Sequence, residues 1–139
     1  MSGKGAEISG GRWNSKGVRM IYTSATRSLC TLEIAVRTPL GNTPVDYRMI
    51  SIQIPDTVMT FTLNITSLHT GWRSFPHSGT TQQTGDAFIS KNKNLIMKVP
   101  SAIIEDEFNY LINPAHPEIS KLKIISNEPF NFDKRIFKK

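Results

Sequence analysis

The chain has 139 residues, with 17 Lys+Arg against 11 Asp+Glu for a net charge of +6, and 38% hydrophobic and 20% charged residues, a length and balance that support one globular domain with its own core. No stretch reaches the ~18 apolar residues of a transmembrane helix, the N-terminus MSGKGAEISGG lacks the apolar centre of a signal peptide, and a single cysteine, Cys30, excludes an internal disulfide and fits a reducing cytoplasm. His69, His77 and His116 are scattered, so no metal site is expected; basic residues run from Lys4 to Lys139 without a helical stripe, so neither direct nucleic-acid recognition nor a membrane partner is expected, and the charge suits an anionic ligand or an acidic protein instead.

Residues 1–17 are rich in Gly, Ser and Lys and read as a loop, in which Arg12 follows Gly10 and Gly11. Val18–Thr23 reads as a strand with Tyr22 near its end. Ser24 is the expected N-cap of a helix over Ala25–Val36, with Ala25, Leu29, Leu32 and Val36 on one face. Pro39 and Gly41 end it. Tyr47–Ile54 reads as a second strand, with Ile50, Ile52 and Ile54 on one face and Pro55 as its stop. Met59, Phe61 and Leu63 predict a shorter extended piece, Gly71–Gly79 a loop, and Thr81–Ser90 a helix despite Gly85. Leu95–Val99 predicts a strand ended by Pro100. Glu105–Asn113 reads as either strand or helix, and Asn113–Pro117 (NPAHP) is a turn-rich loop. Phe130, Phe132 and Ile136 belong to a closing segment. With no internal repeat and no regular βαβ alternation, the expected class is α+β, a single compact domain with a mixed sheet and flanking helices.

Four residues stand out chemically. Glu33 falls at the border of the apolar stripe of its helix, one turn before Arg37, where a partly buried carboxylate needs a partner. It reads as a structural ion pair or as a site carboxylate facing a cleft. Arg12 reads as a solvent-facing loop residue or as an anion-binding guanidinium, Tyr22 as a core aromatic or a ring that stacks on a ligand, and Ser101 as a turn serine or a strand-end site hydroxyl. An arginine, an aromatic and a carboxylate together suit holding a pyrophosphate, stacking a flat ring and stabilising a cationic sugar, which points towards NAD. Ser101 lacks a Ser-His-Asp setting. The glycine-rich start has neither the Walker pair nor the dinucleotide-binding fingerprint of a Rossmann unit.

The stretches GGRWNSKGVRMIYTS, TLEIAV, GWRSFPHSGTTQQTGDAF and VPSAIIEDEFNYLINPAHP, with the late PFNFD, resemble the RES domain family, toxins of bacterial toxin–antitoxin pairs. The resemblance spans residues 1–139 and implies an ADP-ribosyltransferase-like α+β fold. It carries the family's arginine, tyrosine, glutamate and serine onto Arg12, Tyr22, Glu33 and Ser101, with Glu33, Arg12 and Tyr22 catalytic and Arg12, Tyr22 and Ser101 in contact with substrate. It implies NAD as substrate rather than as a bound cofactor, cleaved at the nicotinamide–ribose bond by phosphorolysis, with inorganic phosphate as co-substrate, or by hydrolysis. Transfer of ADP-ribose to a protein is the alternative, and an inactive binding module a further one. It also implies an Xre-type antitoxin partner and a homodimer within that complex. The family carries a further strand ahead of the GGRWN loop, so the resemblance implies that this strand is missing or truncated here and that a sheet edge is exposed.

Overall fold

The computed structural model describes residues 1–138. Its elements are α1 (Lys4–Ser9), β1 (Ile21–Ser24), α2 (Arg27–Ala35), β2 (Tyr47–Gln53), β3 (Thr60–Thr62), α3 (Gly79–Lys91), β4 (Ile96–Pro100), β5 (Phe108–Ile112) and β6 (Lys123–Phe130). Short 3₁₀ turns lie at Ile65–Ser67, Pro117–Lys121 and Lys134–Phe137.

Four strands form a mixed sheet in the order β1–β5–β4–β3, antiparallel except for the β3–β4 pair. β2 and β6 form a separate antiparallel ribbon. This is the α+β class expected from the irregular alternation of elements. The four-stranded sheet has apolar side chains on both faces, which is why β4 reads as an unbroken apolar run: Ile96, Met97 and Val99 are all fully buried. On one face Tyr22, Met97, Val99 and Leu111 pack with Trp13, Met20, Trp72 and Phe88 of α3. On the other, Ile21, Ile96, Tyr110 and Ile112 pack with Ile52, Ile54, Val58 and Leu122. A cleft of about 730 Å³ runs between β1, α2 and β2 and takes in every residue from Met20 to Arg27 and from Tyr47 to Ile52. β1 and β2 each pair on one side alone among the described residues, so two unpaired strand edges border this cleft.

Several expectations are corrected. Residues 1–17 contain α1, which begins at Gly3 without a side-chain cap. Tertiary contacts supply what propensity does not: the Asn14 amide donates to the carbonyl of Ala6 at 2.8 Å and the Gly17 N–H to that of Glu7 at 2.8 Å. The cap of α2 is Thr26, not Ser24. The Thr26 hydroxyl accepts from the Leu29 N–H at 3.1 Å, while Ser24 stays in β1 and turns its hydroxyl to Asn109. Of the predicted apolar face of that helix only Leu29 is buried, and Ala25 and Val36 are exposed. Ile52 of β2 and Ile54 just beyond it reach the core but Ile50 does not. The ladder slips there, since Ser51 pairs Ser126 and Ile52 pairs Ile124, leaving Ile125 of β6 without a partner. Within residues 105–113 the strand β5 covers Phe108–Ile112, and β6 is a strand the sequence reading missed. Replacing Thr26 by alanine is expected to cost about 1 kcal/mol through loss of the cap, measured as a fall of about 3 °C in the thermal midpoint.

Candidate active site

Strand β1 alternates its side chains, so Tyr22 and Ser24 share the face that bears Trp13 and Trp72, and their partners Leu111 and Asn109 on β5 share it too. This face carries the chemistry-bearing residues. The 10–14 loop folds over it through a bridge between Gly11 and Asn14. A Cβ on Gly11 would lie 2.7 Å from the Tyr22 hydroxyl, so only glycine admits that approach. The hydroxyl accepts from the Trp13 N–H at 3.0 Å and donates to Asn14 Oδ1 at 2.7 Å. Asn14, fully buried, donates in turn to the carbonyls of Ala6 and Val18. Burial pushes the Tyr22 phenol up to about 12, the backbone hydrogen bond only partly opposing it, so the hydroxyl is neutral at physiological pH.

Arg12 extends from the same loop to the 71–74 turn. Its guanidinium donates to the carbonyls of Trp72, Ser74 (3.1 Å) and Arg73 (3.3 Å). These contacts use three of the five guanidinium N–H groups and leave Nε–H and one Nη2–H for a ligand. Burial lowers the Arg12 pKa; Glu33 opposes that shift, Arg37 adds to it and Tyr22 opposes it. Arg12 thus lies within electrostatic reach of Glu33 and of Tyr22.

Glu33 projects from α2 with its side chain 19% exposed. Oε1 accepts from the Asn109 amide at 2.7 Å, and Oε2 lies 3.5 Å from Arg37 Nη2, whose own side chain is largely exposed. Glu33 is thus ion-paired with Arg37, just beyond the end of α2, and hydrogen-bonded to Asn109 of β5. Ser101 is placed differently. It is fully buried, and its hydroxyl accepts from the N–H groups of Ile103 and Ile104 at 3.1 and 3.2 Å. These contacts make it the cap of the turn after β4 and leave its own O–H as the group still able to donate.

Three neighbours escaped the sequence reading. Asn109 could have been found only once β5 was fixed as a strand. Gln82 of α3 donates to the carbonyls of Gly11 (3.0 Å) and Asn14 (3.2 Å), fastening the loop from behind. His77, whose Nε2 is 3.3 Å from the Gln82 amide nitrogen, has its pKa lowered by burial and by Arg12 and Arg37, which favours the neutral imidazole. Its signal was a histidine inside the distinctive segment GWRSFPHSG. No group of three or more His, Cys, Asp or Glu side chains fit to hold a metal occurs among the described residues.

Comparison with known proteins agrees with this architecture. Residues 1–133 match the RES domain family, and the chain belongs to it. It is 33% identical to the Prs ADP-ribosylating toxin of Sphingobium sp. (strain YBL2), over all of this chain and 88% of that protein. It is 34% identical to a protein named Toxin Res from Yersinia enterocolitica, over 97% of this chain and 89% of that protein. Among solved structures, a chain of the M. tuberculosis MbcT–MbcA toxin–antitoxin complex superposes with a TM-score of 0.69 at 18% identity, over 99% of this chain and 79% of that one. At that identity the likeness speaks for the fold.

Proposed function

We propose that this protein is the toxin of a toxin–antitoxin pair and acts by cleaving the nicotinamide–ribose bond of NAD. The observation that supports the reading is that the loop carrying Arg12 folds onto the sheet face of Tyr22 and Asn109, with Asn109 bonded to Glu33, within a family whose relatives include toxins. Breaking that bond develops positive charge on the ribose, in a transition state like that of glycoside cleavage. Glu33, held on one oxygen by Asn109, places a carboxylate against that charge and stabilises the transition state more than the ground state. The free Nε–H and Nη2–H of Arg12 offer a fork to a pyrophosphate or to an incoming phosphate. The ring of Tyr22 stacks on the nicotinamide or closes over the ribose, while Ser101, fully buried as the cap of the turn after β4, is left out of the substrate contacts. Nicotinamide leaves without a strong general acid, so His77 need not supply a proton. The same site in an inhibited complex suits a carboxylate-bearing segment of an Xre-type antitoxin, complementary to the chain's net charge of +6, with a toxin homodimer in that assembly.

A second reading rests on one observation: a relative of 33% identity is named an ADP-ribosylating toxin. In that reading a protein side chain takes the place of phosphate or water. Incubation of the purified protein with NAD, with and without phosphate, followed by mass spectrometry separates the outcomes. ADP-ribose-1″-phosphate marks phosphorolysis, ADP-ribose marks hydrolysis, and a mass added to a protein marks transfer. Unchanged NAD under all conditions refutes the enzymatic reading and leaves a binding module.

Arg12→Ala is expected to raise KM for NAD and lower kcat, since it removes both the ligand fork and the clamp on residues 72–74. Arg12→Lys should recover part, because an ammonium restores charge without a planar fork. Steady-state kinetics on both variants checks this; full recovery by lysine means that charge alone acts there.

A further inference from the structure

A hydrogen-bonded relay connects three elements at Glu33. The Ser24 hydroxyl on β1 is 2.7 Å from Asn109 Oδ1 on β5, and Asn109 Nδ2 is 2.7 Å from Glu33 Oε1 on α2. Ser24 and Asn109 are cross-strand partners in the ladder, so the sheet itself fixes where the amide stands. The orientation of that amide follows from its neighbours. An ionised carboxylate only accepts, so the NH₂ must face Glu33 and the carbonyl oxygen must face Ser24, which then donates. Among the described residues the other oxygen of Glu33 meets only Arg37, at 3.5 Å and from a largely exposed side chain, a contact of small worth. A carboxylate on a helix has several staggered rotamers, and the short bond to Asn109 selects one of them.

We propose that Asn109, itself oriented by Ser24, is the positioning residue that holds the Glu33 carboxylate against the reacting sugar. This rests on the NAD-cleaving reading above. A bond from a neutral amide to a charged acceptor is worth more than a neutral pair, and Glu33 acts in the transition state, so the loss belongs in kcat and not in KM.

The core of the test is four proteins, wild type, Asn109→Asp, Glu33→Gln and the double variant, joined by Asn109→Ala and by Ser24→Ala with and without Glu33→Gln. Aspartate keeps the shape of asparagine and replaces the donor with a second carboxylate beside Glu33. Asn109→Asp is expected to lower kcat by about 10- to 100-fold with KM held within about threefold. In the Glu33→Gln background the same change should cost no more than about twofold, because the group it positions is gone. Asn109→Ala, which adds no charge, should repeat the kcat loss, and Ser24→Ala should show a smaller one with the same dependence on Glu33. Equal loss in both backgrounds, or kcat within twofold of wild type in Asn109→Asp and Asn109→Ala, overturns the assignment and leaves Asn109 a structural residue. If wild type itself leaves NAD untouched, it is the functional reading that fails. Urea unfolding of the same four proteins then decides the remaining question: coupled Asn109 and Glu33 effects support the hold of one on the other, and additive effects overturn it.

Discussion

Glu33→Gln is expected to fold like the parent and to lose about 10²- to 10³-fold in NAD turnover, the usual cost of removing one electrostatic contact to a transition state. Glutamine keeps the shape of the side chain and an oxygen able to accept from Asn109. What disappears is the negative charge opposite the developing oxocarbenium ion. The effect on stability should be small, since the ion pair with Arg37 is 3.5 Å long and the arginine is 61% exposed, and such pairs contribute about 0–1 kcal/mol. Activity and stability therefore separate in this variant. A circular-dichroism melt together with NAD turnover reads both. A folded Glu33→Gln protein with near-normal turnover would return Glu33 to the role of a helix ion pair.

Gly85→Ala is expected to be the most damaging small substitution in the chain. Alanine ordinarily gains about 1 kcal/mol over glycine inside a helix. Here a Cβ would lie 1.7 Å from the Trp13 carbonyl oxygen and 2.7 Å from its carbon. Both atoms are backbone and cannot swing aside. The clash outweighs the propensity gain, and a net destabilisation of about 3 kcal/mol or more is expected, with a fall of about 10 °C in the thermal midpoint. Trp13 is the neighbour of Arg12, so turnover should fall even where the protein remains folded. Gly79→Ala, at the start of the same helix, meets nothing within 4 Å and serves as the control. If both alanines leave the melt unchanged, the close packing of α3 on the 10–14 loop is refuted.

Gly85 also shows what the sequence could and could not convey. It read as a blemish in a predicted helix, and it is the point where that helix approaches the loop carrying Arg12. The α+β class, β4 and the placing of Tyr22 and Glu33 were legible because they rest on local signals: apolar runs, Pro and Gly punctuation, and a segment dense in unusual residues. α1 was not legible, because six residues between glycines have no helical signal of their own and are held by Asn14 and Gly17. β6 was missed because Asn127 and Pro129 break the strand pattern, which a two-stranded ribbon, made only of edges, tolerates. Asn109 needed long-range pairing to be seen: its face is set by Ser24 opposite, 85 residues away. Ser101 was picked out by its place at a strand end, yet the contacts of its hydroxyl to Ile103 and Ile104 depend on a turn that sequence alone did not specify.

The most direct measurement is the intracellular NAD level of bacteria after induction of the wild-type chain, of the Glu33→Gln form, and of the wild-type chain together with a cognate Xre-type partner. NAD is predicted to fall, and growth to stop, in the first case alone. Arrested growth with level NAD would contradict depletion and make modification of a specific protein the leading reading, and unchanged growth with level NAD would contradict toxin activity altogether.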